Sequence, residues 1–377
     1  MKSKKRIISA VLAVFAAVSM TACSQKAKNI DTSTELGKNV EATASYVYKK
    51  LGNNPKQGTE MSVISLLESG YMDYWDDRAQ NYVINMNNFI QKGGNKIADK
   101  KNILWDQYPI VFETFTACGI YADKTANADL TQGITVDAIT LMGGFDNKIN
   151  CLTALECGGL GVYQSYNNEN LTREDLVEFI LGLQQPDGSF SYSGMTDGLT
   201  VAKVTSDAVI ALMSTAQTEE ITRAANKGAD YLKNTVKPTD DLYDVCATVI
   251  ALNYAGRDAR DYVDGLTIRA YSDGSYSKNT ADKKGNIEDS SYVLLALSSQ
   301  YRFEKGMAKV YDYSESYGMA HNKLSPMWKT YVNIMKFALG FIILGLIGLF
   351  ILSRVRIAKW RKAGIYNERA SRMYTDA

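Results

Sequence analysis

The stretch from Thr172 to Met213 decides the fold: TREDLVEFILGLQQPDGSF opens it, a polar loop follows, and TSDAVIALM closes it. In the first half Leu176, Phe179, Ile180 and Leu183 recur at three- and four-residue steps, which predicts a helix with one apolar face. Gln184 to Phe190 ends that helix, because proline cannot continue the hydrogen-bond ladder and Asp187-Gly188 makes a tight turn. A second helix follows, with Ser206-Asp207 expected as its cap and Ala208, Ile210, Ala211 and Leu212 apolar nearly all round. One helix is expected half exposed and its partner buried.

That contrast recurs along the chain. Cys246 to Leu252 and Ser291 to Leu297 copy the pattern of Ser206 to Leu212, each ending in Ala-Leu. Leu266 to Tyr276 repeats the amphipathic segment followed by an Asp-Gly-Ser-aromatic turn. Weaker copies lie at Glu60 to Leu67, Asp106 to Cys118 and Asn150 to Leu155. Amphipathic partners fall at about 40–51, 80–93, 131–142, 174–184, 220–234 and 258–270. The expected fold is all-α: an α/α toroid of about six helix pairs, buried helices inside and amphipathic ones outside.

The Gln-x-x-Asp-Gly-Ser-Phe turn, its echo at Ser272 to Tyr276, and the Ser/Cys-x-x-x-x-Ala-Leu helices resemble the prenyltransferase and squalene-cyclase repeat superfamily, over about residues 40–302. That superfamily includes terpene cyclases, protein prenyltransferase β subunits and the α-domain of cobalamin carriers, so the resemblance implies the fold and leaves enzyme and carrier both open.

The ends carry membrane signals. Lys2, Lys4, Lys5 and Arg6 precede an apolar run from Ile7 to Met20, and Met20-Thr-Ala-Cys23 resembles the bacterial lipobox, whose cysteine is diacylated. Residues 1–23 are therefore read as a lipoprotein signal with Cys23 as lipidation site, and 24–39 as a flexible tether. The toroid is expected over 40–302, a juxtamembrane stalk over 303–330, a transmembrane helix over 331–353 and a basic cytoplasmic tail over 354–377. Arg354, Arg356, Lys359, Arg361 and Lys362 place the tail inside by the positive-inside rule, and the toroid on the extracellular face. The net charge is +1, but without the basic leader and tail the remainder is acidic by about eight, which argues against nucleic acid as a partner. Cys118, Cys151, Cys157 and Cys246 sit in apolar contexts expected to hold free buried thiols.

The first turns of the buried helices should line the mouth of the toroid. Aligning the Ala-Leu landmarks puts Asp244 and Asp289 at one level, with Asp207 about a turn deeper beside Asn150 and Tyr292, and with Tyr243, Trp105, Asp106 and Tyr108 around them. Aspartate near a helix N-terminus is also favoured by capping and the macrodipole alone.

The resemblance implies residue sets that can be looked for. Class II terpene cyclases protonate substrate through Asp-x-Asp-Asp, and the chain contains none. Protein prenyltransferases bind zinc through Asp-x-Cys and a histidine; Asp244-Val-Cys246 matches the first half, but the single histidine, His321, lies beyond the ring. A glycan-processing pair of carboxylates, Asp244 and Asp289, stays open. No cofactor or metal is expected. The favoured expectation is capture of a small molecule at the membrane, handed to a transporter partner, with an envelope interaction module as the rival.

Overall fold

The structure, a computed structural model, describes residues 30–99, 102–125, 128, 130–133, 145–159, 173–193, 195, 199–319 and 326–362. It is mostly helical, with two compact units, the first ending at Asn322.

In the first unit the helices are α1 (Glu35–Leu51), α2 (Glu60–Glu68), α3 (Asp77–Lys92), α4 (Tyr108–Ala117), α5 (Phe145–Glu156), α6 (Arg173–Gly182), α7 (Val201–Ser214), α8 (Glu219–Thr235), α9 (Leu242–Tyr254), α10 (Arg260–Thr267) and α11 (Ile287–Lys305). A two-residue antiparallel pair, β1 (Ala98–Asp99) and β2 (Asn102–Ile103), precedes α4. The expected amphipathic helix at 131–142 lies mostly outside the described residues; Leu130–Gly133 is a short 3-10 turn against α4.

Two classes of helix are evident. α8 buries Ile221, Ala224, Ala225, Gly228, Ala229 and Leu232, the single stripe that steps of three and four produce. α9 instead buries every residue from Val245 to Tyr254, and α11 all but Tyr292 between Asp289 and Tyr301. The buried helices touch in an order that returns to its start: α2 packs on α4, α4 on α5, α5 on α7, α7 on α9, α9 on α11, and α11 on α2. Each half-exposed helix sits against one or two of them: α6 on α5 and α7, α8 on α7 and α9, α10 on α9 and α11, α1 on α11 and α2, and α3 on α2.

The two Asp-Gly-Ser-aromatic turns are built alike. Gln185 N–H donates to Ser189 O and Tyr271 N–H to Ser275 O, while Asp187 and Asp273 each accept from the N–H and hydroxyl of the serine two residues on. The aromatic then drops into the core: Phe190 and Tyr276 are fully buried, and their N–H groups donate to Thr205 Oγ1 and Ser290 Oγ of the next buried helix. Gly188 and Gly274 have φ of 91° and 81°, and a Cβ at either would lie 2.7 Å from a backbone oxygen, Lys227 O on α8 or Ala42 O on α1. Only glycine meets both demands.

Three expectations about boundaries are corrected. α7 begins at Val201 with Thr200 as its cap, not at Ser206, so Ser206 and Asp207 lie in the second turn. Asp241 and Asn286 likewise cap α9 and α11, because each offers a side-chain oxygen to the first free N–H groups. The tether does not reach residue 39: Asp31 N–H donates to the Tyr301 hydroxyl, its carboxylate pairs with Lys305 at 2.7 Å, and Thr34 caps α1. The start of the expected stalk is folded structure, for Val310 and Tyr313 are buried, Tyr254 donates to Val310 O, and Tyr313 N–H donates to Cys157 O at 2.7 Å.

All four described cysteines are free and buried. In the second unit α12 (Pro326–Lys362) contains Ala338–Arg361, the one stretch among the described residues long and apolar enough to cross a membrane. Cys23 and the leader lie outside the described residues.

Candidate functional site

A cavity of about 490 Å³ is lined by residues from α2, α4, α5, α7, α9 and α11. Four of these helices present a face at the same spacing: Asp106-Ile110-Glu113 leading into and along α4, Lys203-Asp207-Ile210 on α7, Tyr243-Ala247-Ile250 on α9, and Glu288-Tyr292-Leu295 on α11. Steps of four and three keep such residues on one side of a helix. Three of these faces run from polar to aliphatic; the α4 face ends on an acid.

Glu113 is that acid. It is 6% exposed, and its carboxyl makes no hydrogen bond or ion pair among the described residues. Burial pushes its pKa up to about 8, with Asp207 and Glu68 adding to the rise and Lys203 opposing it. At neutral pH Glu113 therefore holds its proton. By contrast, Glu60 is satisfied: Gly58 N–H donates to both carboxylate oxygens, at 3.1 and 2.8 Å, and the Tyr82 hydroxyl to one at 3.0 Å. Lys203 and Asp207 are held to each other, with Lys203 Nζ 2.5 Å from the carboxylate.

One wall comes from outside the helices. Tyr311, in the segment after α11, lines the cavity with a φ of 64°, unusual for a bulky residue. Its N–H donates to Glu68 Oε1 at 2.8 Å, and Glu68 is paired with Arg302 at 3.1 Å. A buried ion pair thus fixes the backbone that sets Tyr311.

Of the residues expected from the sequence, Asp106, Asn150, Asp207, Tyr243 and Tyr292 line this cavity. Tyr243 and Tyr292 are neighbours, with ring centroids 4.6 Å apart. The remaining four are engaged elsewhere. Asp289 is buried and accepts from the Tyr243 hydroxyl at 2.5 Å, Lys278 N–H at 2.7 Å and Asn286 Nδ2 at 2.6 Å, which ties the loop before α11 to α9. Asp244 accepts from the Thr200 hydroxyl at 2.5 Å, linking α9 to the cap of α7, and burial raises its pKa. Tyr108 accepts from Ile97 N–H at 3.1 Å, and Trp105 stacks on its ring at 5.5 Å. Asp244 and Asp289 therefore serve as local ties rather than cavity walls, as their closeness to helix starts allows. In the Asp244-Val-Cys246 element only Cys246 lines the cavity.

Glu113, Lys203, Glu60 and Tyr311 were not among the expected residues. Glu113 carries a signal in hindsight, a lone charge inside the apolar run Tyr108 to Ala117. Lys203 was hidden by the misplaced start of α7, and Tyr311 by the reading of its segment as a stalk.

Protein-family models and curated proteins, searched with the whole chain, return no match. The functional reading accordingly rests on the geometry of the cavity.

Proposed function

We propose that the chain is a membrane-anchored α/α toroid that holds a small molecule in its central cavity. The cyclic contact order of the six buried helices supports the toroid, as do the matching turns at Asp187 and Asp273. The single observation that carries the binding reading is Glu113, a buried acid that has no hydrogen-bond or ion-pair partner among the described residues and faces about 490 Å³ of space. Burial raises its pKa, so a partner met inside the cavity could change its protonation. The volume suits a ligand of ordinary small-molecule size.

In this reading Cys23 and α12 fasten the chain at both ends, the cavity opens on the outer side of the membrane, and a membrane transporter receives the ligand. A protease added to intact cells then destroys residues 30–319 and spares an epitope placed after Ala377. Solvent extraction of the protein purified in non-ionic detergent, followed by mass spectrometry, should release a molecule that Ile250→Trp, which fills the cavity, does not carry. Equal recovery from both proteins would overturn the reading.

One observation favours a second reading, a carboxyl-dependent enzyme. Glu113 is protonated at neutral pH and shares its cavity with Asp207, so a proton donor and a carboxylate face one space. Chemical change of the bound molecule, lost in Glu113→Gln, would select it.

A further inference from the structure

The cavity has a charge pattern that narrows what it can hold. Its lining carries the acids Glu60, Asp106, Glu113, Asp207 and Glu288 against one base, Lys203. Glu60 is satisfied by Gly58 and Tyr82, and Lys203 is held by Asp207, while Asp106 and Glu288 are exposed. Glu113 is left as the one buried acid on this lining that has neither a hydrogen bond nor an ion pair among the described residues. An anion would meet several acids with only a committed lysine to receive it. A sugar needs polar partners on every side, yet Ile110, Ile210, Ile250 and Leu295 make much of the wall aliphatic. Tyr292 and Tyr311 add aromatic surface, which attracts cations.

We propose that Glu113 is the anchor for a cationic nitrogen, and that the cavity takes an organic cation with an apolar body. This rests on the cavity reading above and adds the charge class of the ligand. Binding is coupled to a proton: the carboxyl O–H bond of Glu113 breaks, the proton leaves to solvent, and the carboxylate formed pairs with the bound cation. No electron changes hands.

Titratable groups face Glu113 from every element around it, and burial raises the carboxyl pKa of Glu60 and Glu68 as well, so the slope is assigned to Glu113 by its variants. On α7 stand Asp207 and Lys203, held together. On α2 stand Glu68, paired with Arg302 of α11, and Glu60. Cys151 of α5 and Cys157 just after it, Tyr254 of α9, Tyr292 of α11, and Tyr311 and Tyr313 of the following segment are all pushed by burial to stay neutral.

The test uses full-length protein in non-ionic detergent and isothermal titration with three probes: 4-phenylbutyl-trimethylammonium, 4-phenylbutyrate and phenyl glucoside. A quaternary ammonium does not itself titrate, so its pH dependence reports the protein. The ammonium probe should bind at least about tenfold more tightly than the other two, and its affinity should rise about tenfold per pH unit from pH 6 toward pH 8. One proton should be released per molecule bound at pH 6. Glu113→Gln should abolish the slope and the proton release, whereas Glu113→Asp, which keeps the acid, should retain both.

Failure of the ammonium probe to bind, or a slope that survives Glu113→Gln, overturns the proposal. Preference for the glucoside or the carboxylate, abolished by Ile250→Trp, overturns the charge class while leaving the cavity reading in place. Ammonium binding that Ile250→Trp does not weaken contradicts the cavity reading as well.

Discussion

Lys203 reaches one turn along its own helix and lies 2.5 Å from both carboxylate oxygens of Asp207. Both residues line the cavity, and they act on Glu113 with opposite sign, Asp207 raising its pKa and Lys203 lowering it. Burial raises the Glu113 pKa most, and the pair adjusts how firmly it holds its proton. Lys203→Met should move the Glu113 titration above about 8, and Asp207→Asn should move it below, as followed by the infrared band of the protonated carboxyl. Identical titrations in the two variants would show that the pair does not act on Glu113.

The raised pKa also fixes how stability depends on pH. A carboxyl that titrates near 4.5 when unfolded and at about 8 when folded binds more protons in the folded state between those values. Stability then falls as pH rises through that window and is level above it, a loss of about 5 kcal/mol at most from this one group. Glu113→Gln should remove this share of the loss, so denaturant midpoints of wild type and variant should diverge between pH 5 and pH 8.5, with the variant the more stable at the higher pH. Parallel curves would show that Glu113 is ionised at neutral pH.

Much of the helical pattern was legible because it rests on spacing alone. Leu212, Leu252 and Leu297 recur at one repeat position, and each is fully buried. The helix starts were less legible: Ser206, Cys246 and Ser291 look like the beginnings of apolar runs, but Thr200, Asp241 and Asn286 cap those helices upstream. That shift brings Lys203, one turn before Asp207, onto the cavity wall beside it. Glu113 escaped because the helices that bury it lie elsewhere in the chain, and nothing in its local sequence distinguishes a buried acid facing a cavity from one that pairs. Tyr311 escaped because the fold of residues 307–319 depends on long-range contacts with Glu68 and Cys157.

The two turn glycines give a test of the repeat. Gly188→Ala and Gly274→Ala must adopt a positive φ and also place a Cβ 2.7 Å from a backbone oxygen of α8 or α1. Gly256→Ala has a similar φ, 72°, but meets nothing within 4 Å. The first two should each cost more than the roughly 1 to 2 kcal/mol expected for the left-handed conformation alone, and Gly256→Ala about that much. Equal unfolding free energies for all three would show that the turns do not dock closely on the neighbouring helix.

Asp289 separates a tie from a ligand contact. Its carboxylate accepts from Tyr243, Lys278 and Asn286, and it does not line the cavity. Asp289→Ala should cost about 1 to 3 kcal/mol by leaving those donors unpaired. The amount of small molecule recovered per folded protein should be unchanged. Loss of the bound molecule without loss of stability would return Asp289 to the binding site.

The most direct measurement is an experimental density map of the protein purified from its own membranes. The account predicts non-protein density in the space bounded by Glu113, Asp207, Tyr292 and Tyr311, in contact with the Glu113 carboxyl. A cavity holding ordered water alone, or closed by the surrounding side chains, would contradict it.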